Sequence, residues 1–258
     1  MIDVLGAIPA RMGSSRFPGK PLKLIDGKPM LWHCWQRSLL SGALDEVVIA
    51  TCDKEIKDAA ENFGAKVIMT SDKHTRANDR VAEVASKMPC KIILNIQGDE
   101  PLLNPQLVKD VVVAAKARKP LTCISPISEI KDEQELNNPH TIKVAFDLNG
   151  KIVYFSRCPI PSDSVVKRQY PGYRQVPIIA FDSQFCQKLS KLPEGPFEIQ
   201  EGTDLLRAVE HDLPVYIMKT EYETIGVDIP SDLDAVQKMI TSDPIYAQYK
   251  DKHSLTFS

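Results

Sequence analysis

The chain has 258 residues, and 32 Lys and Arg against 34 Asp and Glu leave a formal net charge of only −2. That balance gives no electrostatic case for a nucleic-acid partner or an anionic membrane, and such a length buries roughly 70–75% of its extended surface without disulfides or a structural metal. Six cysteines, never closer than eighteen residues, form no Cys-x-x-Cys metal or redox pair.

In chain order, residues 4–8 read as a buried strand. Pro29 stands in a first-turn position, and Leu31, Trp35 and Leu39 follow four apart until Gly42 stops the helix. Residues 47–50 read as a strand, 56–63 as a helix closed by Gly64, and 67–69 as another strand. A polar loop over 70–78 leads into a helix carrying Val81 and Val84. Residues 91–96 are strand-like, and 105–116 make a Val- and Ala-rich helix. This alternation with short connections predicts an α/β fold, a mostly parallel sheet with helices on both faces.

The middle differs. Residues 142–146 and 152–156 alternate in polarity and join through Asn149-Gly150, which predicts a tight antiparallel hairpin. A proline-bearing loop over 159–173, a strand at 176–181 and helices near 183–189 and 201–211 follow. A strand at 215–218 leads to Gly226-Val227-Asp228, and Pro230 opens a last helix on Leu233, Val236 and Ile240. One domain is expected over 1–245, with an excursion at about 140–182. Residues 242–258 are polar and are expected to be loosely held, with 246–258 a tail. Asp3 so close to Met1 argues against a signal sequence, and no apolar stretch approaches ~20 residues. The expectation is a cytoplasmic protein without membrane or nucleic-acid partners.

The most telling segment runs from Pro9 to Leu22. It carries Arg11, Arg16 and Lys20 with Gly13 and Gly19, and no Asp or Glu occurs from Val4 to Ile25. An apolar strand opening into a cationic, glycine-containing loop suits a polyphosphate, because main-chain N–H groups can approach oxygens while Arg and Lys neutralise charge. It is not a P-loop, and no G-x-G-x-x-G occurs. In open parallel sheets, ligands lie beyond the carboxyl ends of the strands. Two more segments fall there, Gln97-Gly98-Asp99-Glu100-Pro101 and Gly226-Val227-Asp228. Asp99 and Asp228 could therefore meet near the cationic loop, where two carboxylates suit Mg2+. Each aspartate taken alone is better explained as turn material.

Together, Arg11-Met-Gly-Ser14-Ser-Arg16-Phe-Pro-Gly-Lys20-Pro-Leu, Gln97-Gly-Asp99-Glu-Pro and Gly226-Val-Asp228 resemble the 3-deoxy-manno-octulosonate cytidylyltransferases, or CMP-Kdo synthetases. Supporting stretches are Lys143-Val, Tyr154-Phe-Ser-Arg157-Cys-Pro-Ile-Pro161 and Glu198-Ile-Gln-Glu201 leading to Leu206-Arg207, and the likeness covers residues 2–240. The resemblance implies a Rossmann-like nucleotidyltransferase fold and a homodimer paired through the middle hairpin region. It also implies a Mg2+-dependent reaction of CTP with an acidic sugar, giving CMP-sugar and pyrophosphate. It implies that Ala10, Arg11, Gly13, Ser14, Lys20, His74, Asp79 and Arg80 hold the nucleotide. Lys20, Asp99 and Asp228 would be catalytic, with Asp99 and Asp228 on the metal, and Gln97, Arg157, Gln175 and Glu201 would line the sugar pocket.

Two departures stand out. The family's His-x-Ser-Gly-Thr-(Asp/Glu)-Arg loop appears as His74-Thr75-Arg76-Ala77-Asn78-Asp79-Arg80, which restricts φ where glycine stood and adds a cation. The family's His-x-Gly-Ile-Tyr strand appears as Gln175-Val176-Pro177-Ile178-Ile179. Both lie where nucleotide or acceptor would be read. The sequence thus leaves open a different acidic sugar (an amino-octulosonate, a nonulosonate or a capsule precursor) or a catalytically silent nucleotide-binding dimer.

Overall fold

The apolar run after Met1 forms strand β1 (Ile2–Pro9), where Val4, Leu5, Ala7 and Ile8 are fully buried. A strand buried on both faces is the mark of a sheet covered by helices on either side. The computed structural model describes residues 1–13, 17–120, 122–166 and 172–252. A two-stranded hairpin of β2 (Leu24–Ile25) and β3 (Lys28–Pro29) leads into α1 (Met30–Leu40). Then come β4 (Glu46–Thr51), α2 (Lys54–Asn62), β5 (Lys66–Met69), α3 (Ala77–Lys87), β6 (Cys90–Ile96) and α4 (Pro105–Ala117). Asn104 caps α4, its side chain accepting the Gln106 N–H at 2.9 Å, and Pro105 fits the first turn.

The second half contains β7 (Cys123–Glu129), α5 (Glu133–Asn137), β8 (Lys143–Phe146), β9 (Ile152–Ser156), β10 (Tyr173–Gln175) and β11 (Ile178–Asp182). It closes with α6 (Ser183–Leu189), α7 (Pro196–Glu201), α8 (Leu206–Glu210), β12 (Val215–Lys219) and α9 (Pro230–Ile240). The central sheet has ten strands in the order β5-β4-β1-β6-β11-β7-β10-β8-β9, with β12 on β7. Seven of the ten run in one direction, with β9, β10 and β11 opposed. One face is packed by α1, α2, α4 and α9 through Leu31, Trp32, Ile56, Val108 and Val236. The other is packed by α3, α6 and α8 through Val81, Val84, Leu189 and Leu206.

Three expectations change. The strand expected at 176–181 begins only at Ile178, as β11, and Val176–Pro177 separates it from a short unforeseen strand, β10, because proline offers no ladder donor. Its partner β7 was not foreseen, since Pro126 sits in its middle. The Pro126 carbonyl accepts the Val176 N–H at 2.9 Å, so that proline lies opposite the break and interrupts no continuous ladder. The hairpin is antiparallel as expected, but its turn spans residues 147–151, with Asp147 Oδ1 accepting from Asn149 N at 2.8 Å and Lys151 N at 2.9 Å.

The third change concerns the carboxyl-terminal segment, expected to be loose from residue 242 onward. Tyr246 and Tyr249 are buried, and Asp243 pairs with the buried Arg37. The Tyr249 hydroxyl accepts from Arg37 Nε at 2.9 Å and bonds His33 Nδ1 at 3.1 Å. Two aromatic rings among polar residues were enough to dock the segment onto α1. Among the described residues, no helix is long and apolar enough to cross a membrane.

Candidate active site

The site forms where β1, β6 and the segment after β12 reach the same end of the sheet. Ala10 N donates to Ala50 O at 2.9 Å and Met12 N to Asp53 Oδ2 at 2.7 Å, which fixes the chain as it leaves β1. Gly19 returns it, with φ 70° and its N–H on Met12 O at 3.1 Å. A 3-10 turn at Lys20–Leu22 follows, and the Lys20 side chain passes inward with the residue only 9% exposed. Ser14, like Arg16, lies outside the described residues. The exits of β1 and β6 lie close together because residue 98 is glycine: a Cβ there would meet Pro9 O at 3.0 Å.

The Lys20 ammonium donates to Asp99 Oδ2 at 2.7 Å and reaches Asp228 Oδ1 at 3.5 Å. Those two carboxylate oxygens therefore lie within about 6 Å of each other, close enough for one or two adjacent cations. Asp228 is held from its own helix, since Asp232 Oδ2 accepts the N–H groups of Asp228 at 2.8 Å and Ile229 at 3.0 Å. Glu100, beside Asp99, is 6% exposed with Oε2 unpaired. Burial first, and the neighbouring Asp99 second, push its carboxyl well above the usual range.

Two cavities meet at this junction and share Gln97, Asp99 and Asp228. The smaller, of about 280 Å³, is cationic, lined by Arg11, Lys20, His74, Arg76 and Arg80 with Ala10. The larger, of about 620 Å³, is lined by Gln97, Glu100, His140, Arg174, Gln175 and Asp232 among others. His74 Nε2 is anchored on Glu83 Oε2 at 2.6 Å. The buried Arg80 spends its donors on Thr70 Oγ1, Ser71 O and the Cys52 thiol.

Not every expected site residue reaches a cavity. Asp79 pairs with Arg207 Nη1 at 2.9 Å and lines neither cavity, nor does Gly13. Arg157 and Glu201 hold one another: Arg157 N donates to Glu201 Oε2 at 2.7 Å and Nε to Glu201 O at 2.6 Å, while Nη1 donates to Pro139 O. These bonds tie β9 to α7, and neither residue lines the larger cavity. Gln175 does line it, donating to Ser125 Oγ at 3.3 Å.

Residues not foreseen on that wall are Asn138, His140, Thr141, Arg174 and Asp232. Only Asp232 had a legible signal, an acid in the first turn of the helix that Pro230 opens. The 138–142 stretch is shaped by Lys143, whose buried ammonium donates to the carbonyls of Asn138, Thr141 and Arg157 at 2.6, 2.9 and 2.8 Å.

A mixed α/β sheet with a cationic cavity, an adjoining polar cavity and paired carboxylates between them defines a nucleotidyltransferase. The chain belongs to the cytidylyltransferase family, whose model matches residues 5–220. It is 41% identical over 237 residues to a 3-deoxy-manno-octulosonate cytidylyltransferase of Solibacter usitatus (strain Ellin6076), covering 92% of this chain and 94% of that protein. It is 38% identical to an 8-amino-3,8-dideoxy-manno-octulosonate cytidylyltransferase of Shewanella pealeana, covering 94% of this chain and 100% of the relative. Among solved structures, a CMP:2-keto-3-deoxy-manno-octonic acid synthetase complexed with CTP superposes with a TM-score of 0.87 at 34% identity, covering 93% of this chain and 99% of that one.

Proposed function

We propose that the protein couples CTP to a 3-deoxy-2-ulosonic acid sugar of the Kdo type, releasing pyrophosphate. The observation that carries this is Lys20, whose ammonium lies between Asp99 and Asp228 where the cationic and polar cavities join. CTP enters the smaller cavity, with Arg11 and Lys20 on its phosphates. The sugar acid enters the larger, near Gln97 and Gln175. A sugar hydroxyl oxygen forms a bond to the α-phosphorus, the bond from that phosphorus to the bridging oxygen breaks in line, and the hydroxyl proton passes to solvent. Lys20 compensates charge on the departing pyrophosphate. The step is positioning and charge compensation, with no side-chain nucleophile.

The donor set fits Mg2+, which takes one or two carboxylates and completes its shell with water and substrate phosphates. Asp99 and Asp228 would hold it. Among the described residues, no cluster of three or more His, Cys, Asp or Glu could cage a metal without such outside ligands. When bound, the ion supplies positive charge to the α-phosphate and lowers the proton affinity of the attacking hydroxyl.

We further infer a cytoplasmic homodimer that pairs through the middle hairpin. The exposed edge strand β9, with Val153 49% exposed, supports the pairing, and six free cysteines suit a reducing compartment. The test is pyrophosphate release from CTP and Mg2+ with Kdo, its 8-amino-8-deoxy analogue and a nonulosonate. Release with either octulosonate supports the reading, and the better of the two names the acceptor. Release only with the nonulosonate, or with no acid, overturns it.

A further inference from the structure

The cationic cavity is lined by Arg76, just before α3, and we infer that this residue reads the nucleobase, distinguishing cytosine from uracil. This rests on the reading of that cavity as the nucleotide site. Arg76 precedes α3 in extended conformation, with φ −109° and ψ 146°. Ala77 begins the helix and is not among the positive-φ residues, so glycine's freedom is not needed there.

Two of the other basic side chains on this wall are committed. Arg80 is 3% exposed and bonded to Thr70, Ser71 and Cys52, while His74 is held by Glu83. Arg76 is different. Its Nε donates to Glu194 Oε1 at 3.0 Å, which fixes the plane of the guanidinium, and among the described residues its hydrogen bonds run through that nitrogen alone. The terminal fork, Nη1 and Nη2, is left for a ligand in a cavity that Arg76 lines.

Charge decides which part of the nucleotide it meets. Beyond Glu194, Glu198 Oε1 stands 3.8 Å and Asp204 Oδ1 3.9 Å from the same Nε. A polyphosphate drawn to Arg76 would face three carboxylates, a repulsion that a neutral base does not feel. Arg11 and Lys20, the latter beside the carboxylates assigned to the metal, remain for the phosphates. A rigid guanidinium fork matches two adjacent acceptors. Cytosine presents such a pair at O2 and N3, whereas uracil carries a hydrogen on N3 that points a donor at a donor. A matched bidentate contact discriminates by about 5- to 150-fold in affinity.

The test is calorimetric binding of CTP and UTP, with Mg2+ and no sugar, to the wild type, R76A and R76K. R76K keeps the charge near Glu194 but loses the fork, so it serves if the shorter variant is unstable. Wild type is expected to prefer CTP, and each variant to lower the CTP-to-UTP preference about tenfold, mainly through weaker CTP binding. Equal weakening of both nucleotides in R76A, with R76K near wild type, would identify a phosphate contact and overturn the proposal. An unchanged preference in both variants would overturn it as well. Wild type that bound neither nucleotide would reject the nucleotide site itself, a failure distinct from that of Arg76.

Discussion

The Val227 N–H donates to the Asp99 carbonyl at 2.9 Å, so the two segments that carry the paired carboxylates are laced together through main chain. Asp99 and Asp228 thus owe their approach to backbone geometry, with Lys20 lying between the side chains. Replacing a carboxylate should leave the fold intact while removing charge from the reacting centre. D99N and D228N are each expected to lower kcat for pyrophosphate release at least about 100-fold, the scale of losing one preorganised electrostatic contact. Turnover near that of the wild type in either variant, with an unchanged circular dichroism spectrum, would remove that residue from the assignment.

Two glycines, one on the wall of the larger cavity and one outside both cavities, should behave oppositely. A Cβ on Gly226 would stand 2.9 Å from Glu100 Oε1, and Glu100 is buried and has little room to retreat. A Cβ on Gly13 meets nothing within 4 Å. G226A is expected to cost about 1–3 kcal/mol, typical of overpacking, and to slow turnover by displacing Asp228. G13A should fold like wild type and raise the KM for CTP only if phosphate oxygens approach that main chain. Urea midpoints for both, set beside CTP saturation curves, separate the packing effect from the phosphate effect.

Much of this was legible before the structure, and for physical reasons. The β–α alternation of the first half follows from local periodicity, and Pro29, Gly42, Gly64 and Pro105 mark ends that local chemistry dictates. The loop from Arg11 to Lys20 announced itself because uncompensated positive charge in a strand exit is hard to explain as a turn. The break at Pro177, the matching Pro126 in β7 and the buried Tyr249 were not legible, since each depends on which distant segment lies opposite. The same holds for Arg157 and Glu201, which the resemblance placed in the sugar pocket but whose nearest partners are each other. Family likeness transfers the order of motifs; the partner of a particular side chain is settled by packing.

Tyr249 gives the carboxyl-terminal segment a definite energetic role. It is fully buried against Trp32, with ring centroids 5.3 Å apart, and its hydroxyl meets both Arg37 and His33. Y249A should lose about 3–5 kcal/mol, the range for deleting a large buried aromatic, and would leave the Arg37 donor unsatisfied. Y249F should lose only the hydrogen bonds, about 1–3 kcal/mol. Thermal unfolding of the two variants checks the order, and equal, small losses would mean the segment does not hold α1.

Glu83 couples the loop that carries His74 to pH. Burial raises its pKa, but hydrogen bonds from Lys87, the Ser71 main chain and His74 outweigh burial and hold the carboxyl at about 2. Its usual value is 4.5. A carboxyl depressed on folding contributes stability that is complete above its unfolded pKa and is lost as pH falls through the folded one, here between about 4.5 and 2. Solvent screening at this partly exposed group holds the contribution to about 1 kcal/mol. E83Q keeps the shape without the charge, so it should be less stable than wild type at pH 7, with the gap closing as pH drops from 4.5 toward 2. His74, released from its anchor, should also bind CTP less tightly at pH 7, which ties the stability effect to the cavity it lines. Urea titrations at pH 7, 5 and 3 measure the gap; one that stayed constant with pH would mean that the charge on Glu83 contributes nothing to the fold.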